Sequence, residues 1–180
     1  DTAVLLDRGK VEASGDVDDV VREFRLRMLA RQGALSHPQV TGHVEITGVQ
    51  LLDATGSPAE RLAPGDPMLV QVETRMNRAI DDAIVSVSIL DAAEQLVHET
   101  DTGLAGASLR GKDGDKQRVR FDLRTLPLNA GRYFVTVGVR PRDRSVLHDF
   151  HDRRYWFEIS RGNETRGRLF IPTDVQVESL

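Results

Sequence analysis

The residues of this chain that could do chemistry are few and scattered. His148-Asp149-Phe150-His151-Asp152 gathers two imidazoles and two carboxylates, the side chains that hold transition metals. On an extended segment His148 and His151 point to opposite faces, so the run reads as the polar end of a strand. Asp113-Gly114-Asp115 has the oxygen chemistry of a calcium ligand, but no matching acidic set stands near it. Asp81 and Asp82 are neighbours whose side chains diverge in an extended chain, which suits a polar turn and not an acid/base pair. There is no G-x-S-x-G, no H-E-x-x-H and no cysteine, so no catalytic residue, metal or cofactor is expected. Arg140, Arg142, Arg144, Arg153 and Arg154 make a basic cluster. It could meet a phosphate or an anionic membrane surface, or stay solvated and balanced by Asp143, Asp149 and Asp152. Trp156 is the single tryptophan. If Tyr155, Phe157 and Ile159 face a core, its ring faces outward, where it stacks on a ligand or is covered by a partner or a loop.

Strands must position these side chains. Residues 121–139 organise the rest: a short alternating strand, a turn through Leu126-Pro127-Leu128-Asn129-Ala130-Gly131, then Tyr133, Val135, Val137 and Val139 on one face of a second strand. Leu126 and Leu128 are expected to tuck inward at a corner typical of β-sandwiches. Phe134 and Thr136 take the opposite face, where Ser86 and Ser88 of a neighbouring strand can join them, unless that strand is covered on both faces and Phe134 is simply core.

Upstream, residues 3–6 and 11–13 read as a hairpin turning at 7–10. A helix follows from Asp16, with Val17, Val20, Val21, Phe24 and Met28 as its apolar stripe and Gly33 as its stop. Residues 34–42 read as a linker. From His43 the period changes from that of a helix to that of a strand. Val44, Ile46, Val49 and Leu51 alternate, with a slip at Gly48 that predicts a bulge. Strands are expected over 68–74, 84–90, 95–100, 146–150 and 154–160, with a polar connection at 77–82 and a long loop over 103–116. A final extended segment, 168–177, is broken by Pro172. The fold class is therefore all-β, an antiparallel β-sandwich of the Ig-like or jelly-roll type preceded by a β-hairpin and one α-helix.

A net charge of −4 with interspersed signs speaks against nucleic acid as a partner. No apolar run approaches a membrane span and no secretory leader is visible. The absence of cysteine suits the cytosol. The chain opens at Asp1 without a methionine and reads as part of something longer.

Two segments together carry a family resemblance. The segment VLLDRGKVEASGDVDDVVREF, through Leu6, Gly9, Val11, Gly15, Val20, Val21 and Phe24, resembles the tail of an ABC-transporter nucleotide-binding domain. The sandwich is similar to the C-terminal domain of the Wzt family, the ATP-binding subunits of O-antigen polysaccharide exporters. Its landmarks are residues 49–53 with Gly56, the turn Pro64-Gly65-Asp66, Ile89-Leu90-Asp91, Leu126-Pro127-Leu128 through Gly131 and Tyr133, and Phe157-Glu158-Ile159 followed by Gly167. Asn129-Ala130 departs from the usual Pro-Gly before Gly131, and the family's final Trp has no counterpart. The resemblance implies three parts: residues 1–33 as the end of an ATPase domain with its connecting helix, 34–42 as linker, and 43–180 as a carbohydrate-binding sandwich. It also implies that the sandwich binds a lipid-linked polysaccharide and selects it for export. The implied partners are a second copy of the chain with exchange of the last strand, its own ATPase domain and a membrane permease. The place would be cytoplasmic, peripheral to the inner membrane. No G-x-x-x-x-G-K-[ST] loop is present, so this chain cradles no ATP phosphates.

On that reading the residues expected to touch sugar are Trp156 and Phe134 by stacking, with Thr136, Ser86, Ser88 and Arg140 taking hydroxyls. The alternative is a module that only dimerises the ATPase subunits and docks on the permease, with no affinity for sugar.

Overall fold

The structure, a computed structural model, describes residues 2–7, 9–31, 40–160, 167 and 169–173. Strands β1 (Thr2–Asp7) and β2 (Lys10–Asp16) pair as an antiparallel hairpin, and helix α1 (Val17–Arg31) packs on both. Arg27 fastens the helix to the hairpin by bonding Glu23 one turn back and Glu12 on β2, each at 2.8 Å. Of the apolar stripe only Val20 is buried; Val17, Val21, Phe24 and Met28 are exposed, as are Val4, Leu6 and Val11 of the hairpin. Gly33 and positions 34–39 of the expected linker lie outside the described residues.

The rest is all strand: β3 (Val44–Leu52), β4 (Arg61–Leu62), β5 (Met68–Met76), β6 (Ile80–Asp91), β7 (Leu96–Asp101), β8 (Leu109–Gly111), β9 (Lys116–Leu123), β10 (Gly131–Pro141) and β11 (Asp149–Ile159). They form two sheets. The smaller runs β3-β5-β9; the larger runs β4-β11-β10-β6-β7, with β8 also on β6. All pairings are antiparallel except the two-residue β4 on β11. This is the expected sandwich.

The core follows from alternation. Met68, Val70, Val72 and Met76 line the inner face of β5; Val85, Val87 and Ile89 that of β6; Val135, Val137 and Val139 that of β10. Each is 0–1% exposed. Full burial of such a side chain contributes about 1.5–3 kcal/mol. The corner before β10 is built as expected. Leu126 and Leu128 are buried. The Tyr133 ring stacks on Phe157 at 5.5 Å between centroids, and its hydroxyl donates to the Asn129 carbonyl at 2.9 Å. The bulge at Gly48 is present as a register shift between Ile46 and Gly48.

Three bounds differ from the sequence reading. The β6 strand starts at Ile80, because Ile80 and Ala83 pair with β8, which also divides the loop expected over 103–116. Residues 149–159 form one strand, β11, in place of two strands split near 151–153; the polar stretch between is a bulge. Residues 147 and 148 instead bind the chain entering the sandwich. Thr41 and Gly42 donate their amides to Leu147 and His148 carbonyls, and Thr41 Oγ1 meets His148 Nδ1, all at 2.9 Å. Downstream, Leu169 bridges Leu128, and Phe170 N–H donates to the Pro127 carbonyl at 2.8 Å. The expected segment 168–177 is otherwise outside the described residues from 174 on.

Candidate functional site on the outer face of the larger sheet

With the odd-numbered residues of β10 in the core, Phe134, Thr136, Gly138 and Arg140 belong to the outer face. Register extends each into a row. Phe134 stands opposite Trp156 on β11 and Leu90 on β6, and Leu90 opposite Leu96 on β7. Four apolar side chains thus cross four strands, a row spanning about 14 Å at the usual inter-strand spacing. Its two ends are exposed, Trp156 at 46% and Leu96 at 54%, and its middle is half-buried. The next row holds Thr136, Ser88 and Glu99, and the one after it Phe150, Gly138, Ser86 and Asp101. Gly138 leaves little room there: a Cβ would lie 3.1 Å from Ser86 Oγ and 3.4 Å from the Phe150 ring.

Trp156 is outward, as the alternation of Tyr155, Phe157 and Ile159 predicts. The Arg132 guanidinium lies 4.6 Å from its ring centroid, held by Glu158 at 2.7 Å. Such a cation on an exposed ring contributes about 0.5–1 kcal/mol and fixes the ring plane. The Arg132 bond is also the main reason the Glu158 carboxyl sits below the usual carboxylate range. Ser88 Oγ donates to Glu99 at 3.1 Å, and Ser86 Oγ reaches the Gly138 carbonyl at 3.4 Å. Both serines are half-buried within the sheet's own bonding.

Thr136 is buried and serves the bulge. Between the pairs Val135–Tyr155 and Val137–His151, β11 carries Asp152, Arg153 and Arg154 where a regular ladder would carry one residue. Thr136 Oγ1 donates to Asp152 Oδ1 at 3.2 Å and accepts the Arg153 N–H at 2.8 Å. Arg153 adopts a left-handed backbone, φ 46°, a conformation disfavoured for arginine unless its surroundings enforce it. Its guanidinium forms an ion pair with Glu94 in the β6–β7 turn.

Arg140 lies beneath the surface, at 9% exposure. Its Nη2 donates to Asp101 Oδ2 at 2.9 Å, while Asp101 Oδ1 accepts the Leu104 N–H at 2.8 Å. Burial first, and Arg144 second, lower the Arg140 pKa; an arginine nonetheless stays charged. Three of the five arginines of the basic cluster read from sequence are taken by carboxylates. Arg140 is taken by Asp101, Arg142 by Asp82 at 2.9 Å and Arg153 by Glu94.

The structure brings Trp156, Phe134, Ser88 and Ser86 to one face and puts Arg140 and Thr136 under it. The sequence reading missed Leu90, Leu96, Arg132 and Glu94. The hairpin signal around Asp91-Ala92-Ala93-Glu94-Gln95 could have paired Leu90 with Leu96. His148 and His151 go to separate partners, Thr41 and the Tyr155 hydroxyl at 2.7 Å. Among the described residues no three His, Asp or Glu side chains converge as a metal site. Asp115 instead closes its own turn on the Lys112 N–H at 2.8 Å. No helix of the described residues is long and apolar enough to cross a membrane. An open groove of about 480 Å³ lies at the other edge of the sandwich, between residues 102–109 and β9, lined in part by Ser108, Leu109, Gln117, Arg118 and Arg120.

A family model described as the Wzt C-terminal domain matches residues 36–170. A solved structure titled as the C-terminal domain of wzt superposes with a TM-score of 0.69 at 14% identity, covering 78% of this chain and 87% of that one. A β-glucuronidase of glycoside hydrolase family 2 aligns with a TM-score of 0.46 at 12% identity, over 66% of this chain and 12% of that one. The alkylpurine DNA glycosylase AlkC of Pseudomonas fluorescens aligns with a TM-score of 0.44 at 14% identity, over 79% of this chain and 36% of that one. No curated protein sequence matches. The likeness at 0.69 joins the family match over most of the sandwich, and with them the chain belongs to the Wzt C-terminal domain family.

Proposed function

We propose that residues 43–180 are the glycan-recognition domain of an O-antigen-type ABC exporter, without catalytic activity, which holds the lipid-linked polymer and selects it for transport. The observation that carries this is the apolar row headed by Trp156, bordered on one side by Ser88, Ser86 and Glu99. A pyranose has apolar C–H faces for the ring and equatorial hydroxyls for the acceptors. Trp156 and Phe134 stack; Ser88, Ser86 and Glu99 take hydroxyls. Thr136 and Arg140 hold the floor. Residues 1–33 are the end of the ATPase domain with its connecting helix, and 34–42 the link. The exposed row Val17, Val21, Phe24 and Met28 with Val4, Leu6 and Val11 is the surface on which the rest of that domain packs. The assembly works at the cytoplasmic side of the inner membrane, beside its permease.

The chain acts as a homodimer with exchange of the last strand. Two features support this: among the described residues no strand pairs with the outer edge of β9, and the groove beside it is lined in part by Arg118 and Arg120. The sequence Asp174-Val175-Gln176-Val177-Glu178 alternates apolar and acidic or amide residues to suit that edge.

The experiment is a titration with the exported polysaccharide of the source organism, followed by the fluorescence of the single tryptophan and by calorimetry. Saturable binding that Trp156→Ala abolishes, with the dimer intact by ultracentrifugation, is expected. A folded dimer that binds no polymer at millimolar sugar would leave the second reading, a dimerisation and docking module, in possession of the same groove and apolar surface.

A further inference from the structure

The apolar row has two borders, and they differ in charge. On one side stand Ser88 and Glu99. On the other, two positions along each strand, the next outward residues are Glu158 on β11 and Arg132 on β10, with Arg61 on β4 beside them. Register sets the three in line, Arg61 opposite Glu158 and Glu158 opposite Arg132, while Leu62 and Ile159, the following pair, turn inward and are buried. A step of two residues along a strand is about 7 Å, so this row runs beside Trp156 and Phe134, within reach of a substituent on a ring seated there.

Two guanidiniums share one carboxylate. Arg132 donates to Glu158 Oε1 from Nε and Nη2, at 3.2 and 2.7 Å, and Arg61 Nη2 lies 3.6 Å from Oε2. Arg132, Glu158 and Arg61 together thus carry a surplus of one positive charge. Arg132 spends one side of its planar fork on Glu158, and among the described residues no further partner takes Nη1. Its side chain is half exposed, yet a carboxylate and the Trp156 ring hold it in place. Donors fixed in this way lose little freedom when a ligand arrives.

We propose that this border selects an acidic sugar: a residue of the polymer whose ring lies on Trp156 and Phe134 and whose carboxylate is taken by the open end of the Arg132 fork, with Arg61 adding charge. This rests on the glycan reading above and names the kind of sugar. A carboxylate is planar and offers two oxygens to two parallel N–H groups, the match that arginine makes best. Glu99 on the opposite border repels a carboxylate and accepts hydroxyls, so the ring is seated one way round.

The test uses the full chain and the exported polysaccharide of the source organism in two forms, native and with its carboxyl groups chemically reduced to alcohols. Parent, Arg132→Gln and Arg61→Gln are titrated with both by calorimetry, at low and high salt. The parent is expected to bind the native polymer about tenfold more tightly than the reduced one, the contribution of one charge-assisted contact. Arg132→Gln loses about that factor on the native polymer and changes little on the reduced one, because the substitution and the reduction remove the same interaction. Arg61→Gln, more exposed, loses about two- to threefold on the native polymer alone. Salt lowers the parent's affinity for the native polymer and leaves that for the reduced one level. Equal binding of the two forms by the parent, as for a polymer that is neutral or carries its charge on phosphate, overturns the acidic-sugar assignment and leaves the glycan reading standing. So does an Arg132→Gln variant that weakens both forms alike, since Arg132 then only supports the Trp156 ring. Binding of neither form by the folded parent removes both readings together.

Discussion

Arg140 has the most specific consequence for stability. Its guanidinium and the Asp101 carboxylate are each about one-tenth exposed and bond at 2.9 Å. Arg140→Met keeps the length of the side chain and removes its charge. It leaves Asp101 buried with only the Leu104 N–H. Breaking a buried pair from one side costs about 3–5 kcal/mol, and the remaining bond from Leu104 places this case near the low end, about 3 kcal/mol. In urea, with a slope of about 2 kcal/mol/M for a small domain, the unfolding midpoint falls by about 1.5 M. Asp101→Asn keeps an acceptor for Leu104 and strands the cation instead; it should cost about 2 kcal/mol. The double variant buries no charge and is expected to cost less than the two single losses added, with a coupling of at least ~1 kcal/mol. Arg75→Gln serves as the control: its pair with Glu45 is about half exposed on both sides, and its loss should stay within about 0.5 kcal/mol. A loss below about 1 kcal/mol for Arg140→Met, or additive single losses, would refute the reasoning. Arg140 would then be solvated and available to a ligand.

Burial, then the nearby His43 and Arg78, hold the His148 pKa at about 4 in the fold, against about 6.5 in an unfolded chain. Below 6.5 the unfolded chain takes up a proton that the fold refuses. Stability should therefore fall as pH drops from about 6.5 to 4, by on the order of 2–3 kcal/mol, and His148→Asn should flatten that slope in urea melts at stepped pH. Phe157→Ala empties a site that is fully buried against Tyr133 and should cost about 3–5 kcal/mol by the same melts. Gly138→Ala presses a methyl on Ser86 Oγ and the Phe150 ring; a loss of about 1–2 kcal/mol is expected, and an unchanged midpoint would mean that the Phe150 ring moves freely.

The sandwich was legible because its core strands carry an uninterrupted period of two. Val135, Val137 and Val139 could face only one way, and the same alternation set Trp156 outward opposite Tyr155, Phe157 and Ile159. The Leu126-Pro127-Leu128 corner was legible for the same reason: its two leucines had nowhere to go but inward. What failed was local polarity used as a sign of turns. Asp81 and Asp82 sit within β6 because backbone pairing with β8 outweighs their propensity. The stretch His151-Asp152-Arg153-Arg154 looked like a break between strands. It is a bulge in which the Arg153 N–H and guanidinium are bonded to Thr136 and Glu94, partners 17 and 59 positions away in the sequence. Arg140 shows the same limit: nothing local marks an arginine as buried, since its counter-charge arrives from 39 residues upstream.

The polar candidates sort by a single physical distinction. A side chain that must satisfy the sheet's own donors and acceptors has little left for a ligand. Thr136 spends both functions of its hydroxyl on the bulge, and Arg140 and Asp101 spend theirs on each other. These groups cannot exchange partners without exposing a buried charge or an unmet N–H. Trp156 and Leu96 have no such obligation: their exposed apolar surface is lowered in free energy by any partner that covers it. On the proposed glycan reading, affinity on this face should therefore come from the row, and specificity from the groups that border it, with Thr136 and Arg140 acting through the shape they impose. Substitutions at Trp156 should change binding at a stability cost of no more than about 1 kcal/mol, the contact with Arg132, and substitutions at Arg140 the reverse, so that the two effects separate along the depth of one sheet.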